Sequence, residues 1–227
     1  MAPDDRLAAH LLTWLGAWPP SDGRLTVVGS ERRSAPSWDR TVRPVTGVAT
    51  PDGAVLSVPP DAAAAVRALG DDLDVVGAGL ADALGLPGWV FGRGVFRWST
   101  APTPGDDPGM WLPTDDPRVP EWLRPFSGDV LVGFGAGAAG REVAAGVGRK
   151  IHDEHGHELA VVTEPGHQGK GWARQLVTQA ARRVLADGAV PTYLHAPSNI
   201  ASARTAVASG FPDRGWHVLG LFPGRPG

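Results

Sequence analysis

The stretch "TEPGHQGKGWARQLV", Thr163 to Val177, decides how this chain is read. It begins as a turn and ends as a helix, with glycines at 166, 169 and 171 and a lysine at 170 where the helix starts. Glycine is entropically costly at such a place, so its use points to something approaching the backbone closely. The first N–H groups of a helix lack partners and sit at the positive end of its dipole. With the strand-like "HELAVVT" before it, the run is a natural phosphate cradle. Gly169 and Gly171 admit the anion, Gln168 adds a donor and Lys170 a charge. A plain tight connection, in which the glycines only permit the turn, is the alternative. A P-loop is excluded, because Gly166 is too near the "GK" pair and Gly171 stands where Ser or Thr is needed.

Working outward, the pattern is strand, helix, strand, helix, strand. A helix over roughly 170–187 carries Trp172, Leu176, Val177, Ala180, Val184 and Leu185 at the 3.6-residue period, with Gly188 as its C-cap. "PTYLHA" is a strand, "SNIASARTAVASG" a helix capped near Ser198 or Asn199, and "WHVLGLF" a final strand. Upstream, "GWVFGRGVFRWS", "DVLVGFG" and "REVAAGVGRKI" read as strands, and the proline-rich 101–120 as a long loop. "GAGAAG", Gly135 to Gly140, formally fits a dinucleotide fingerprint, but that motif needs a helix next. The alternating Val143, Ala145 and Val147 make it a hairpin turn instead. Such an order indicates a mixed α/β sheet.

Residues 1–85 form a separate portion. Leu7, Leu11, Leu12 and Leu15 fit one face of an amphipathic helix, "RLTVVGS" is strand-like, and "VTGVATPDGAVLSVPP" is a hairpin around "TPDG". Two helices follow, in "PPDAAAAVRALG" and "DDLDVVGAGLADALG".

The 227 residues, 42% hydrophobic and 20% charged, are those of an ordinary globular protein. A net charge of −3 speaks against a sequence-independent nucleic-acid binder. With no cysteine, disulfides, thiolate zinc sites and an acyl-cysteine intermediate are excluded. No apolar run approaches the roughly 18 residues of a membrane span, and the acidic "MAPDD" has the wrong sign for a secretory signal. The expected compartment is the cytoplasm. Lysine stands only at Lys150 and Lys170, all other basic side chains apart from histidine being arginine.

"VVTEPGHQGKGWARQLV" resembles the acyl-CoA-binding motif of the GCN5-related N-acetyltransferases (the GNAT superfamily). There a strand ends at Val-x-Pro and continues as Arg/Gln-x-x-Gly-x-Gly/Ala into a helix. Gln168, Gly171 and Ala173 fall on the defining positions, and Thr163 and Pro165 on the strand-end valine and the proline. "NIASARTAVASGF", Asn199 to Phe211, resembles the family's later motif. Together they cover about residues 157–211, and the preceding strands extend the match to about 86.

The resemblance implies an α/β (α+β) fold with a mixed, largely antiparallel sheet flanked by helices. Residues 86–227 would be the acyltransferase domain, and residues 1–85 an N-terminal α/β extension packed on it that shapes or covers the acceptor site. The strand edge at Val161, Val162 and Thr163 would pair with pantetheine amides, and a backbone N–H near Thr163 would meet the thioester carbonyl. Gln168, Gly169, Lys170, Gly171, Trp172 and Ala173 would hold the pyrophosphate. Asn199 and Ser202 would meet the cofactor where the two central strands splay. The function implied is transfer of an acyl group, acetyl in the first instance, from acyl-CoA to a primary amine of a small molecule or peptide. The amine would attack directly in a ternary complex. No metal, nucleic acid or membrane is called for, and assembly as a homodimer is left open.

The chain departs from the pattern at three places. Thr163 replaces valine, Trp172 is bulky where the family has a smaller apolar residue, and Ala206 stands where many members carry the tyrosine that protonates the leaving thiolate. The only tyrosine is Tyr193, on the preceding strand. The alternative function is therefore a CoA-binding sensor or interaction protein that kept the cofactor site and lost turnover.

The resemblance implies a base on the strand leading into the motif, where His157 and Glu158 are the candidates, with a solvated hairpin turn "DEHG" as the competing account. Histidine titrates near operating pH, which favours His157, and strand alternation sends the two side chains to opposite faces. His152, His155 and His157 as metal ligands are disfavoured for want of thiolates and by the turn. Trp111 and Trp122, beside "TDDPR", would be core residues or the lining of a pocket for a cationic amine.

Overall fold

The computed structural model describes residues 3–21, 24–137 and 140–224. In chain order the elements of the first part are α1 (Pro3–Leu15), β1 (Leu25–Gly29), β2 (Thr46–Thr50), β3 (Gly53–Val58), α2 (Ala63–Arg67), α3 (Leu73–Ala83) and β4 (Trp89–Trp98). Then come β5 (Met110–Leu112), β6 (Val130–Gly137), β7 (Gly140–Ile151), β8 (Gly156–Thr163), α4 (Trp172–Ala186), β9 (Val190–His195), α5 (Ile200–Ala208) and β10 (His217–Pro223). The chain divides into two compact units, Ala8–Phe96 with Arg214–Gly227, and Met1–Leu7 with Arg97–Asp213.

The first of these units is built on strands in the order β1-β3-β2-β10-β4, with only β1 and β3 parallel. The expected hairpin is β2–β3: Thr50 pairs with Gly53, and Thr50 Oγ1 accepts from the Asp52 N–H across the two-residue turn. Asp72 caps α3, its carboxylate accepting from the N–H groups of Asp74 and Val75. Leu56, Val66, Val76, Leu80 and Leu219 close the core. The boundary expected near residue 85 falls inside this unit. Its physical reason is β10, which pairs with β2 on one side and β4 on the other and buries Leu219 and Leu221 among residues of the N-terminal portion. Of the leucine stripe on α1, Leu7, Leu11 and Leu15 are buried, while Leu12 is 51% exposed and stands off that face.

The second unit has the strand order β9-β8-β7-β6-β5, antiparallel except for β8 and β9, with α4 and α5 packed on it. Two chemically simple devices fix α4. Leu176, Val177, Ala180 and Val184 are fully buried against Leu131, Ala145, Val147 and Leu159, at roughly 1.5–3 kcal/mol for each large side chain. Gly188, at φ 89°, ends the helix as expected. Within the proline-rich loop the structure has a short edge strand, β5, which the sequence did not suggest. It is docked by Gln179 of α4, whose amide accepts from Gly109 N–H at 2.8 Å and donates to Gly109 C=O at 3.0 Å. The "AGAAG" turn has its flanks as strands, with Gly137 paired to Gly140, and its tip, 138–139, lies outside the described residues. No helix among the described residues is long and apolar enough to cross a membrane.

Candidate active site

The site lies where β8 runs into α4. Thr163 ends the strand, a 3-10 turn spans Pro165–His167, and Gly171 is the N-cap of α4. Gly169 and Gly171 both take left-handed backbone, at φ 73° and 84°, which only glycine adopts freely. A Cβ placed on Gly166, Gly169 or Gly171 would meet no atom within 4 Å. No side chain caps α4, so its leading N–H groups face this open space. The glycines are thus not demanded by crowding within the protein; they leave a cradle that a side chain would fill. Lys170 and Arg174 are exposed beside it. Open space, an uncapped helix start and two exposed cations are features suited to an anion.

β8 and β9 are in register over only three rungs, from Gly156↔Val190 to Glu158↔Thr192. Both strands continue, to Thr163 and His195, beyond the last rung. From Leu159 onward β8 is held by β7 on one edge, and among the described residues no strand pairs with its other edge, the kind of edge that accepts an extended ligand. Val161 is partly buried beneath α4, and Val162 on the opposite face is 48% exposed.

At the start of α5, Asn199 is the N-cap, its side-chain oxygen accepting from the Ser202 N–H at 3.0 Å. The Ser202 hydroxyl is 2.8 Å from the Tyr193 hydroxyl. Ala206 is fully buried, packed in one core with Tyr193 and Phe211. The phenol missing from α5 is therefore matched by one rising from β9 to the same helix. Burial raises the Tyr193 pKa, and the Ser202 hydrogen bond and the Arg97 charge oppose it. His195, at the end of β9, is committed elsewhere: Arg97 donates to its Nε2, and its Nδ1 bonds the Ala196 carbonyl.

The two expected bases part company at the last rungs before the splay. His157 shares its face with Leu159 and Val161, which pack under α4, and is 8% exposed. Glu158 points to the other face, where Lys150, its register partner on β7, donates to one carboxylate oxygen and His152 Nε2 lies 3.1 Å from the other. Burial pushes the Glu158 carboxyl up, but the His152 hydrogen bond and the Lys150 and His152 charges outweigh it and hold it below the ordinary value. The three histidines weighed as ligands go to separate places: His152 to Glu158, His155 to Glu154 and His157 into the strand pair. Among the described residues no group of three His, Asp or Glu could hold a metal ion.

Trp172 turns its ring onto the sheet at Gly133, so a bulky residue fits here and only its backbone faces the cradle. Trp111 lies under the guanidinium groups of Arg149 and Arg183, and Trp122 covers Gly146 and donates to Glu164. These two belong to different packing clusters and do not line one pocket. Sequence reasoning weighed His152 only as a ligand; its pairing with Glu158 is a cross-strand contact that residue type and spacing alone do not reveal.

The family model described as "Acetyltransferase (GNAT) family" matches residues 94–211, more than half of the chain. No curated protein matches it. Among solved structures, the chain is similar to a GNAT-family protein from Novosphingobium aromaticivorans, at 21% identity and TM-score 0.49, covering 62% of this chain and 69% of that one. An acetyltransferase of the GNAT family from Colwellia psychrerythraea follows at 14% identity and TM-score 0.44, covering 59% and 57%. A GCN5-related N-acetyltransferase-like protein from Streptococcus suis has 13% identity and TM-score 0.44, covering 74% and 71%.

Proposed function

The chain belongs to the GNAT acetyltransferase family, and from that membership we propose that it moves an acetyl group from acetyl-CoA to a primary amine of a small molecule or peptide. The observation that carries this reading is the uncapped start of α4. Its two left-handed glycines lie open beside a strand whose partner leaves after three rungs. The amides of 169–173 and Lys170 would bind the diphosphate, and the free edge of Leu159–Thr163 the pantetheine amides. Bound acyl-CoA supplies a thioester, an acyl group already activated toward amines.

The chain's own residues then manage two protons. An amine arrives mostly as an ammonium at neutral pH and must lose one. Glu158 stands on the last rung before the strands part, on the face not covered by α4, and we assign the proton to the Glu158–His152 pair. A carboxylate held ionised is a weak base alone but orients an imidazole that it bonds. His157, among core residues, keeps a packing role. As the C–N bond forms and the C–S bond breaks, the Ser202 hydroxyl, backed by Tyr193, is the donor placed to protonate the leaving thiolate.

The second reading, a CoA-binding sensor without turnover, is favoured by one observation, Ala206 in place of a phenol. Incubation with acetyl-CoA and a panel of amines, read as thiol release, separates the two. Release that needs both amine and protein supports the transferase. Tight CoA binding with no release for any amine supports the sensor.

A further inference from the structure

Of the glycines of β6, only Gly133, under the Trp172 ring, has had a part in the site so far. Gly133, Gly135 and Gly137 stand two residues apart on one face of the strand. A Cβ at Gly133 would lie 2.9 Å from the Trp172 ring, and one at Gly135 would lie 2.6 Å from His167 Cε1. One at Gly137 would overlap the Glu142 carboxylate. His167 and Trp172 are the residues on either side of Gln168–Gly171. Each flank of the cradle is therefore seated on a β6 glycine, while the Cβ directions of Gly169 and Gly171 within it stay open.

His167 is also latched. Its ring is buried, and Nε2 bonds Glu142 Oε1 at 3.0 Å. Glu142 is the β7 register partner of Gly135, and its own carboxylate occupies the space that Gly137 leaves. At the other end of the 3-10 turn, Glu164 N–H donates to Ala144 C=O at 2.9 Å. Ala144 is the residue skipped where the β6–β7 register shifts.

We infer that His167 is a positioning residue for acyl-CoA: seated on Gly135 and latched by Glu142, it fixes where Gln168–Gly171 begins and aims the cradle amides before the cofactor arrives. The inference rests on the acyl-CoA reading given above. A glycine-rich loop without such a seat would have to be ordered on binding, at the expense of affinity. The apparent dinucleotide motif "GAGAAG" thereby acquires a role: its first two glycines make room for the latch.

The test is calorimetric titration of CoA into the full-length protein, with hydrogen exchange of amides 168–173 measured without ligand. His167→Ala and Glu142→Ala should each weaken CoA by about tenfold, the scale of one charge-assisted hydrogen bond partly open to water. Both should speed exchange at 168–173. His167→Gln, which keeps a donor toward Glu142, should recover most of the affinity, whereas a residue needed only for packing would not be rescued this way. Unchanged affinity and exchange in the alanine variants, or His167→Gln as weak as His167→Ala, would overturn the inference. If His167→Ala does not fold, Gly137→Ala decides, because it displaces only the exposed end of Glu142. Wild-type protein that does not bind CoA would sink the acyl-CoA reading instead, and exchange in the ligand-free variants would still show whether the latch holds the loop.

Discussion

Gly171 separates backbone strain from charge in one experiment. Its φ of 84° and ψ of 0° are left-handed, and its Cβ direction is open. Gly171→Ala should cost about 1–2 kcal/mol of stability from conformation alone, with no clash. For a chain of this length that lowers Tm by about 2–8 °C. The strain is the same with and without ligand, so any loss of CoA affinity in this variant reports the methyl intruding on the space the diphosphate takes. Asn and Asp tolerate this backbone better and have nearly the same shape, so they differ only in charge. A carboxylate about 5 Å from each of two phosphate charges is opposed by about 1.7 kcal/mol at the dielectric of water, and by more where water is excluded. Gly171→Asp should therefore bind CoA about 20- to 100-fold more weakly than Gly171→Asn, with similar Tm. The gap should narrow as salt rises, because the charges lie near the surface. Calorimetric titration at two ionic strengths with parallel melting curves measures all of this. Equal CoA affinity for the Asp and Asn variants at low salt would refute the placement of the diphosphate at Gly171.

Glu158→Gln should lower the maximal rate at neutral pH and recover in part at high pH, where amines shed their own protons; a pH–rate profile parallel to wild type removes the Glu158–His152 pair. The same variant bears on stability. Because the folded Glu158 carboxyl is held low, its contribution is fully present above the unfolded Glu pKa of about 4.3 and fades as pH falls through the lower folded value. Melting curves from pH 7 to 3 should thus show a flatter acid limb for the glutamine variant. Tyr193→Phe removes the partner of the Ser202 hydroxyl and should cost about 1 kcal/mol in stability and lower kcat with CoA affinity nearly unchanged, read by melting, kinetics and titration together. A fragment of residues 86–227 should fail to fold alone, since β10 would lose β2 and the Leu219 and Leu221 core; a soluble fragment with a cooperative melt would contradict this.

What was legible in the sequence is what acts locally. Gly169 and Gly171 set the backbone at their own positions, Asn199 caps the helix it precedes, and the period of Leu176, Val177, Ala180 and Val184 marks the buried face of α4 without help from elsewhere. The two-residue turn after Thr50 likewise forms from its own four residues. The features that were not legible depend on partners far along the chain. β5 has no strand pattern of its own, and the residue before it, Gly109, is held by Gln179, 70 residues away. Glu158 owes its ionised state to Lys150 on the facing strand and to His152 in the turn after it, so its chemistry depends on register. β10 joins the N-terminal portion through pairing with β2 and through Leu219 and Leu221, which no local pattern announces. Gly135 and Gly137 looked like half of a nucleotide motif or part of a turn, and only the fold shows His167 and Glu142 standing over them.

Soaking a crystal of the full-length protein with CoA tests the central claim most directly. The account predicts diphosphate density against the amides of 169–173 and pantetheine along the free edge of β8 from Leu159 to Thr163, with the thiol toward Glu158. CoA bound anywhere else, or no density in crystals that hold saturating CoA, would contradict it.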